Sequence, residues 1–430
     1  MANQQTVTDW TPPPGFGPVP SKVPGIEVYA PVPEEETAPG VETFRCPQCN
    51  GITAYSASDE QLACPHCGYT QPVGAQRVGL AAERFEFTLQ ALDGSERGWG
   101  IERRQIQCEA CSALFSVGEG GLSATCPFCG SNRVVGLAAL HDFIRPSTVV
   151  PFTVDDKRCS ALVKEWLGRG WMHPPALRHI DAIGRLVGMY LPYWVFGAHV
   201  DARWRAEVGY EEEKRVLCDG QWETETVVRW RWEDGNVHLP IHNLPICGTD
   251  KISTVLQERL QPYDLDALVT YDPDYLAGWQ AQAYDIQLKP AWDLGKRRMR
   301  EQAKDACSDQ IHSSHVRNFS MTADFDEERW RYVLLPAYLA TYTLQNETYH
   351  VMVNGQTGVV AGQKPVAWLR VWLAVALLLL PGVSCGLLGL LTSLLAGVGA
   401  FLLPVALCLF VAGLAAVLYI LYQARSADDV

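Results

Sequence analysis

No Gly-x4-Gly-Lys-Ser/Thr phosphate loop, no His-Glu-x2-His and no Gly-x-Ser-x-Gly occurs in the 430 residues. A nucleotide-driven motor, a helical zinc hydrolase and a serine-elbow hydrolase therefore each lack their signature. Gly295-Lys296 misses both the upstream glycine and the following hydroxyl of a phosphate loop. Excess positive charge is missing too: the net charge is −13, and between Val41 and Leu140 ten acids face seven basic residues, with Arg103-Arg104 the one adjacent basic pair. Such a balance argues against a large phosphate-tracking surface. The opening MANQQTVTDWTPPPGFGPVP holds no apolar segment able to act as a signal peptide, which predicts a cytosolic body. At the other end charge itself vanishes, for Val371 to Ala424 contains no Asp, Glu, Lys, Arg or His. One membrane helix needs about 20 apolar residues, so the run predicts a two-helix transmembrane hairpin over 366–424. It should turn near Ser393 to Gly399, with Pro381 and Pro404 inside the spans. Lys364, Arg370 and Arg425 flank the outer ends while the turn is uncharged, so both termini, including a short tail over 425–430, are expected on the cytosolic side of the inner membrane.

Cysteine, by contrast, is plentiful. Eight of the fourteen form two quartets of identical spacing, Cys46, Cys49, Cys64 and Cys67, then Cys108, Cys111, Cys126 and Cys129, each Cys-x2-Cys, fourteen residues, Cys-x2-Cys. Two close pairs of thiolates make a closed tetrahedral site that folds a small segment around Zn2+. Three pairs read CPQCN, CPHCG and CPFCG; the proline fixes one backbone angle, and Asn50, Gly68 or Gly130 tolerates the left-handed turn of a metal knuckle. CEACS is the weakest, lacking the proline and ending on Ser112. Two zinc ions per chain are predicted, in ribbons spanning 43–72 and 104–134, with His66 a spacer beside a shell already filled by four sulfurs. Buried or disulfide-bonded cysteines are the competing reading, which paired spacing and a reducing compartment disfavour. Cys159, Cys218, Cys247, Cys307, Cys385 and Cys408 show no paired spacing and read as small apolar fillers.

The remaining chain divides by composition. Residues 1–42 are proline-rich and read as a disordered tail, a polyproline ligand being the alternative. Residues 73–103 read as a β linker with a strand near Arg84-Phe-Glu-Phe-Thr-Leu. A β-rich α+β domain is expected over 148–365: a helix within Thr153 to Gly168 capped by Thr153 or Asp155, long strands in LPYWVFGAHVDARWRAEV and VVRWRWEDGNVHL with a turn at Asp234 and Gly235, and one or two helices between Pro273 and Asp309 carrying the basic run Lys296, Arg297, Arg298 and Arg300. Leu191-Pro192-Tyr193-Trp194 and Leu335-Pro336-Ala337-Tyr338 each open a β segment, an echo that reads either as a duplicated half-domain or as shared β composition.

Candidate chemistry outside the cysteines has a plainer explanation in each case. Pro240 interrupts His238 and His242, which spoils a helical metal pair. Asp264, Asp266, Asp272 and Asp274 suit helix caps better than a calcium loop, which wants glycine at its bend. Trp230 and Trp232 share one face of a strand and Arg229 and Arg231 the other, a pattern of single-strand nucleic-acid binders and equally of a two-sided β-strand.

GWGIERRQIQCEACSA, TCPFCGS, VPFTVD, YLPYWVFGAHV, YDLDALVTYDPDYLAGWQAQAY, LLPAYLATY and YHVMVNGQTGVVAG together resemble, in the same order, segments of a bacterial family of zinc-ribbon membrane proteins. Its members often carry the label of a transcription-factor-IIB-type zinc ribbon or of the primosomal helicase, replication factor Y. The resemblance spans roughly residues 44 to 365, with a hydrophobic tail after it as in many members. It implies zinc ribbons on a membrane protein; the helicase label rests on the knuckles, and the missing phosphate loop rejects it. The expected protein is a non-enzymatic, membrane-anchored adaptor that recruits a cytosolic macromolecule, such as a membrane-remodelling assembly, to the inner face of the bilayer. A nucleic-acid-binding ribbon protein and a rubredoxin-like iron electron carrier are the alternatives.

Overall fold

The computed structural model describes residues 16–19, 28–31, 44–82, 84–86, 97–99, 103–117, 126–137, 143–179, 186–218, 221–344, 347–396 and 399–428. In the amino-terminal stretch, expected to be disordered throughout, β1 (Phe16–Val19) and β2 (Val28–Pro31) pair antiparallel. Proline is tolerated there because each strand of a two-stranded ribbon has an outer edge where a missing N–H costs nothing. The first cysteine quartet is carried by a separate three-stranded sheet of β3 (Ala54–Ser56), β4 (Gln61–Ala63) and β5 (Thr70–Pro72). All further strands join one large sheet, beginning with β6 (Phe85–Glu86), β7 (Arg104–Cys108), β8 (Leu114–Val117), β9 (Val134–Leu137) and β10 (Thr148–Val149).

Helix α1 (Asp156–Gly168) follows, capped by the Asp155 carboxylate, which accepts from the Arg158 N–H, and it buries Cys159, Val163 and Leu167 on one face. Then come β11 (Val187–Cys218) and β12 (Gln221–Cys247), a hairpin paired along its length. At 3.3 Å per residue, β11 is roughly 100 Å long. The expected turn at Asp234 and Gly235 does not form. β12 runs straight through, because Gly235 leaves room for the Trp204 indole: a Cβ there would stand 2.7 Å from Trp204 Nε1. The chain instead reverses between Cys218 and Gln221.

After a short helix α2 (Thr254–Arg259) and β13 (Val269–Thr270), the expected helix at Pro273 is only a 3-10 turn, Pro273–Leu276. Gly278, at φ +79°, ends it, and β14 (Gln280–Ala281) intervenes before α3 (Leu288–Asp309). The acids behave as caps: Asp264 accepts from the Asp266 N–H, and Asp272 from the Asp274 N–H. β15 (His315–Leu344), β16 (Glu347–Asn354) and β17 (Val360–Gly362) complete the sheet. Last come two apolar helices, α4 (Trp368–Ala396) and α5 (Gly399–Asp428). They are long and apolar enough to cross a membrane, and α5 extends through part of the expected tail. The helices approach closely: a Cβ on Gly382 would lie 2.8 Å from the Phe410 backbone.

The two Leu-Pro segments lie face to face, with Leu191 of β11 opposite Leu335 of β15 in an antiparallel pair. Around this point the domain is two β-α-β-β units, β10-α1-β11-β12 and β14-α3-β15-β16, related by a local two-fold axis. The short strands are exchanged: β10 pairs parallel with β15, and β14 parallel with β11. Hydrogen bonds repeat across the axis. Val150 N donates to Leu334 O as Gln282 N does to Tyr190 O, both at 3.0 Å, and Gly355 N reaches Pro336 O as Gly248 N reaches Pro192 O, at 2.9 and 2.8 Å. Buried aromatics fill the middle, Trp194 against Tyr284 and Tyr332, and Phe152 stacked on Trp279 at 4.0 Å.

Candidate metal centres

Each Cys-x2-Cys pair sits on the same backbone device, and all four copies are present. The first cysteine's N–H donates across the turn to Gly51 O, Tyr69 O, Ala113 O or Ser131 O at 2.7–2.9 Å. Its carbonyl accepts from Asn50, Gly68, Ser112 or Gly130 at 2.8–3.0 Å. Those four donor residues occupy the left-handed region, at φ 60°, 74°, 58° and 70°. Two are glycine and one is asparagine, residues that adopt it readily; Ser112 does so at some cost, so CEACS makes the same knuckle despite its composition.

The knuckles bring four sulfurs together twice. Sγ–Sγ distances are 3.5 Å for Cys46–Cys67 and Cys49–Cys64, and 3.6 Å for Cys108–Cys129 and Cys111–Cys126. These are far longer than the roughly 2.05 Å of a disulfide and close to the edge of about 3.8 Å of a tetrahedron with 2.3 Å metal–sulfur bonds. All four ligand atoms of each quartet lie within 4.8 Å of one another, so both clusters can hold a metal ion. His66 belongs to neither, and it packs over Gly51, where a Cβ would meet its ring at 2.7 Å.

Electrostatics within the quartets also suit a cation. The N–H of Cys67 draws the Cys64 thiol down to about 6. At Cys108 burial opposes ionisation, but the N–H groups of Cys111 and Ala110 outweigh it and hold the thiol at about 7. At Cys67 the Tyr69 N–H favours the thiolate, yet desolvation and the three neighbouring thiols drive it up to about 12, and burial pushes Cys126 up as well. Four thiolates this close do not ionise together unless a positive ion joins them.

The two centres differ in setting. In the first, Cys49 and Cys67 are exposed, and the small sheet carrying them docks through Tyr55, whose N–H donates to Ala277 O at 3.0 Å and whose carbonyl accepts from Trp279 Nε1 at 3.1 Å. In the second, Cys108 and Cys126 are buried, Cys111 and Cys129 half-buried, and β7, β8 and β9 are strands of the large sheet, β8 touching β14 at Ser116 and Ala281. A cavity of about 250 Å3 opens beside its knuckles, lined by Cys111, Cys129, Lys251, Leu256, Leu339 and Met352 among others. Arg103 ties the second centre's strand β8 to the 276–279 segment on which the first sheet docks. Fully buried, it donates to Leu276 O at 3.2 Å, Trp279 O at 2.6 Å and Ser116 Oγ at 3.0 Å, and burial lowers its pKa to about 10. In the sequence it is half of a basic pair; only the fold shows that it never meets solvent, while Arg104 is exposed.

Comparison with known proteins places the chain near one curated relative. It is similar to YdjG of Bacillus subtilis (strain 168). That protein, described as uncharacterized, is 25% identical over 336 residues, covering 76% of this chain and 90% of YdjG. No protein-family model matches, and no solved structure matches significantly.

Other candidates from the sequence are accounted for by packing. Arg317 lies over the Trp230 ring at 4.0 Å while bonding Glu207, Arg205 covers Trp232 at 4.6 Å, and Glu212 pairs with both Arg229 and Arg231. These cations and rings engage one another along the two-sided strand, and Trp232 remains 51% exposed. His238 and His242 lie on the strand β12 and flank His199, which pairs opposite Pro240; the ring centroids stand 5.6 and 6.0 Å from that of His199. His238 Nδ1 is 2.7 Å from an Asp201 oxygen. Among the described residues these histidines form no metal-ligand group. Cys159, Cys247 and Cys307 are buried; burial of Cys218 lies outside the described residues.

Proposed function

We propose that this chain is a membrane-anchored zinc-ribbon adaptor, holding two Zn2+ in its four-cysteine centres and presenting its knuckle surface to a macromolecular partner at the cytosolic face of the bilayer. The observation that carries this reading is the pairing of an exposed knuckle surface, Cys49 and Cys67, with a body that continues directly into two helices long and apolar enough to span a membrane. The closed four-sulfur shell suits a structural ion: it leaves no open position for a substrate or water. Zinc in such a shell holds loops rigid, and rigid exposed loops make recognition surfaces. The resemblance to bacterial zinc-ribbon membrane proteins supports the same reading. Lys364, Arg370 and Arg425 at the open end of the helical hairpin favour both termini in the cytosol.

Metal analysis of the full chain purified in detergent tests the centres, with two zinc ions per chain expected. Coloured, iron-loaded protein would instead favour the electron-carrier alternative. Affinity capture of the full chain beside a form lacking residues 366–430 tests recruitment. A partner held by both forms, but concentrated at membranes only by the full chain, is the expected result; binding of nucleic acid at low salt would point to the other alternative.

A further inference from the structure

The loop after α1 is tied to the start of α4. Ala367 N donates to Met172 O at 2.7 Å, Pro365 O lies 3.0 Å from His173 Nδ1, and the Arg370 guanidinium reaches the carbonyls of Trp171 and His173 at 3.4 and 3.3 Å. The Met172 side chain packs with Val366, Val371 and Ala424, the point where α4 begins and α5 ends. Lys364, buried, donates to Trp166 O at 2.8 Å and to Arg169 O, closing the end of α1 against the same segment. The loop is thus fixed at the level where the two apolar helices meet the domain.

What this fixed loop turns outward is a tryptophan. Trp171 is 47% exposed, although its own neighbours Met172 and His173 are tucked in. At the same end of the helices, Trp368, Trp372, Tyr419 and Tyr422 are also exposed, and so are the cations Arg370 and Arg425 and, on the loop itself, Arg178. Exposed tryptophan and tyrosine gathered with arginine at one end of an apolar helix pair is the composition of a membrane–water boundary, where the ring is apolar and its N–H or O–H stays wet.

We infer that the loop 169–179 is a membrane-docking element of the extramembrane domain, with the Trp171 side chain seated in the lipid headgroup layer. The occupant of this surface is the bilayer itself, because the loop adds Trp171 to the exposed aromatics at this end of the helices and is bonded to the first turn of α4. Docking here holds the domain at a set tilt on the membrane, so that the knuckles face a defined direction. The inference rests on the membrane-spanning reading of α4 and α5.

The test places a benzophenone amino acid at position 171 of the full chain, reconstituted in phosphatidylethanolamine and phosphatidylglycerol vesicles, and reads lipid adducts by mass after irradiation. Position 387, an exposed leucine inside α4, and position 222, an exposed tryptophan at the far end of β11 and β12, are irradiated in parallel, each variant keeping the parent's metal content. Lipid adducts at 171 and 387, with yield at 171 about tenfold or more above that at 222, are expected. Adducts at 387 without any at 171 would overturn the docking while leaving the spans intact. No adduct at 387 would overturn the spans and the docking together. A chain-to-chain or protein adduct at 171 would show that another macromolecule covers Trp171, and would equally overturn the proposal.

Discussion

The two four-cysteine centres share a backbone, a spacing and a sulfur geometry, and they differ in what would be left without the metal. The first stands on a three-stranded sheet of its own, with Tyr55 and Leu62 as its main buried contribution to the body. The second contributes Ile106, Cys108, Phe115, Val117 and Cys126 to a core that also contains Tyr193, Leu335 and Met352 of the large sheet. Identical chemistry thus sits on a peripheral sheet in one place and in the body of the fold in the other. A metal centre's role is set by what its loops pack on, not by its ligands.

The difference can be broken by substitution. Cys126→Ser should remove one metal and lower the main unfolding transition by about 3 kcal/mol or more, because three strands of the large sheet lose their clasp. Arg103→Met should come next, at about 2–4 kcal/mol with both metals retained, since it strips buried carbonyls of a charged donor. Thermal or denaturant unfolding of the detergent-purified chain, followed beside metal content, checks both. Trp279→Phe deletes the indole bond to Tyr55 O at a cost of about 1 kcal/mol, and amide exchange should quicken in residues 44–72 before anywhere else. Cys64→Ser should have the least effect on the main transition, under about 1 kcal/mol, while releasing one metal and unfolding the first ribbon locally. Equal shifts for Cys64→Ser and Cys126→Ser would erase the distinction between periphery and body.

Much of this was legible from short-range chemistry. The quartets, their left-handed turn residues, the Asp155 cap and the uncharged carboxy-terminal run are all local patterns whose physical meaning needs no partner. What escaped depended on distant segments. The Leu-Pro echo marks residues that meet across β11 and β15, but nothing local says that they face each other. Gly235 reads as a turn until Trp204 is seen to fill its space, and Pro273 reads as a helix start until Gly278 and the two residues of β14 divert the chain. Arg103 reads as surface charge because its acceptors at Leu276 and Trp279 lie far along the chain.

The exchange of β10 and β14 between the two units bears on synthesis. β11 takes β14 and β15 from the other unit, and β15 begins only about a hundred residues after β11 ends. Pairing over such separations is slow to begin. Half of this domain is therefore not a folding unit; a growing chain carries an unfinished sheet almost until α4 appears, so closure of the core and emergence of the two apolar helices become adjacent events.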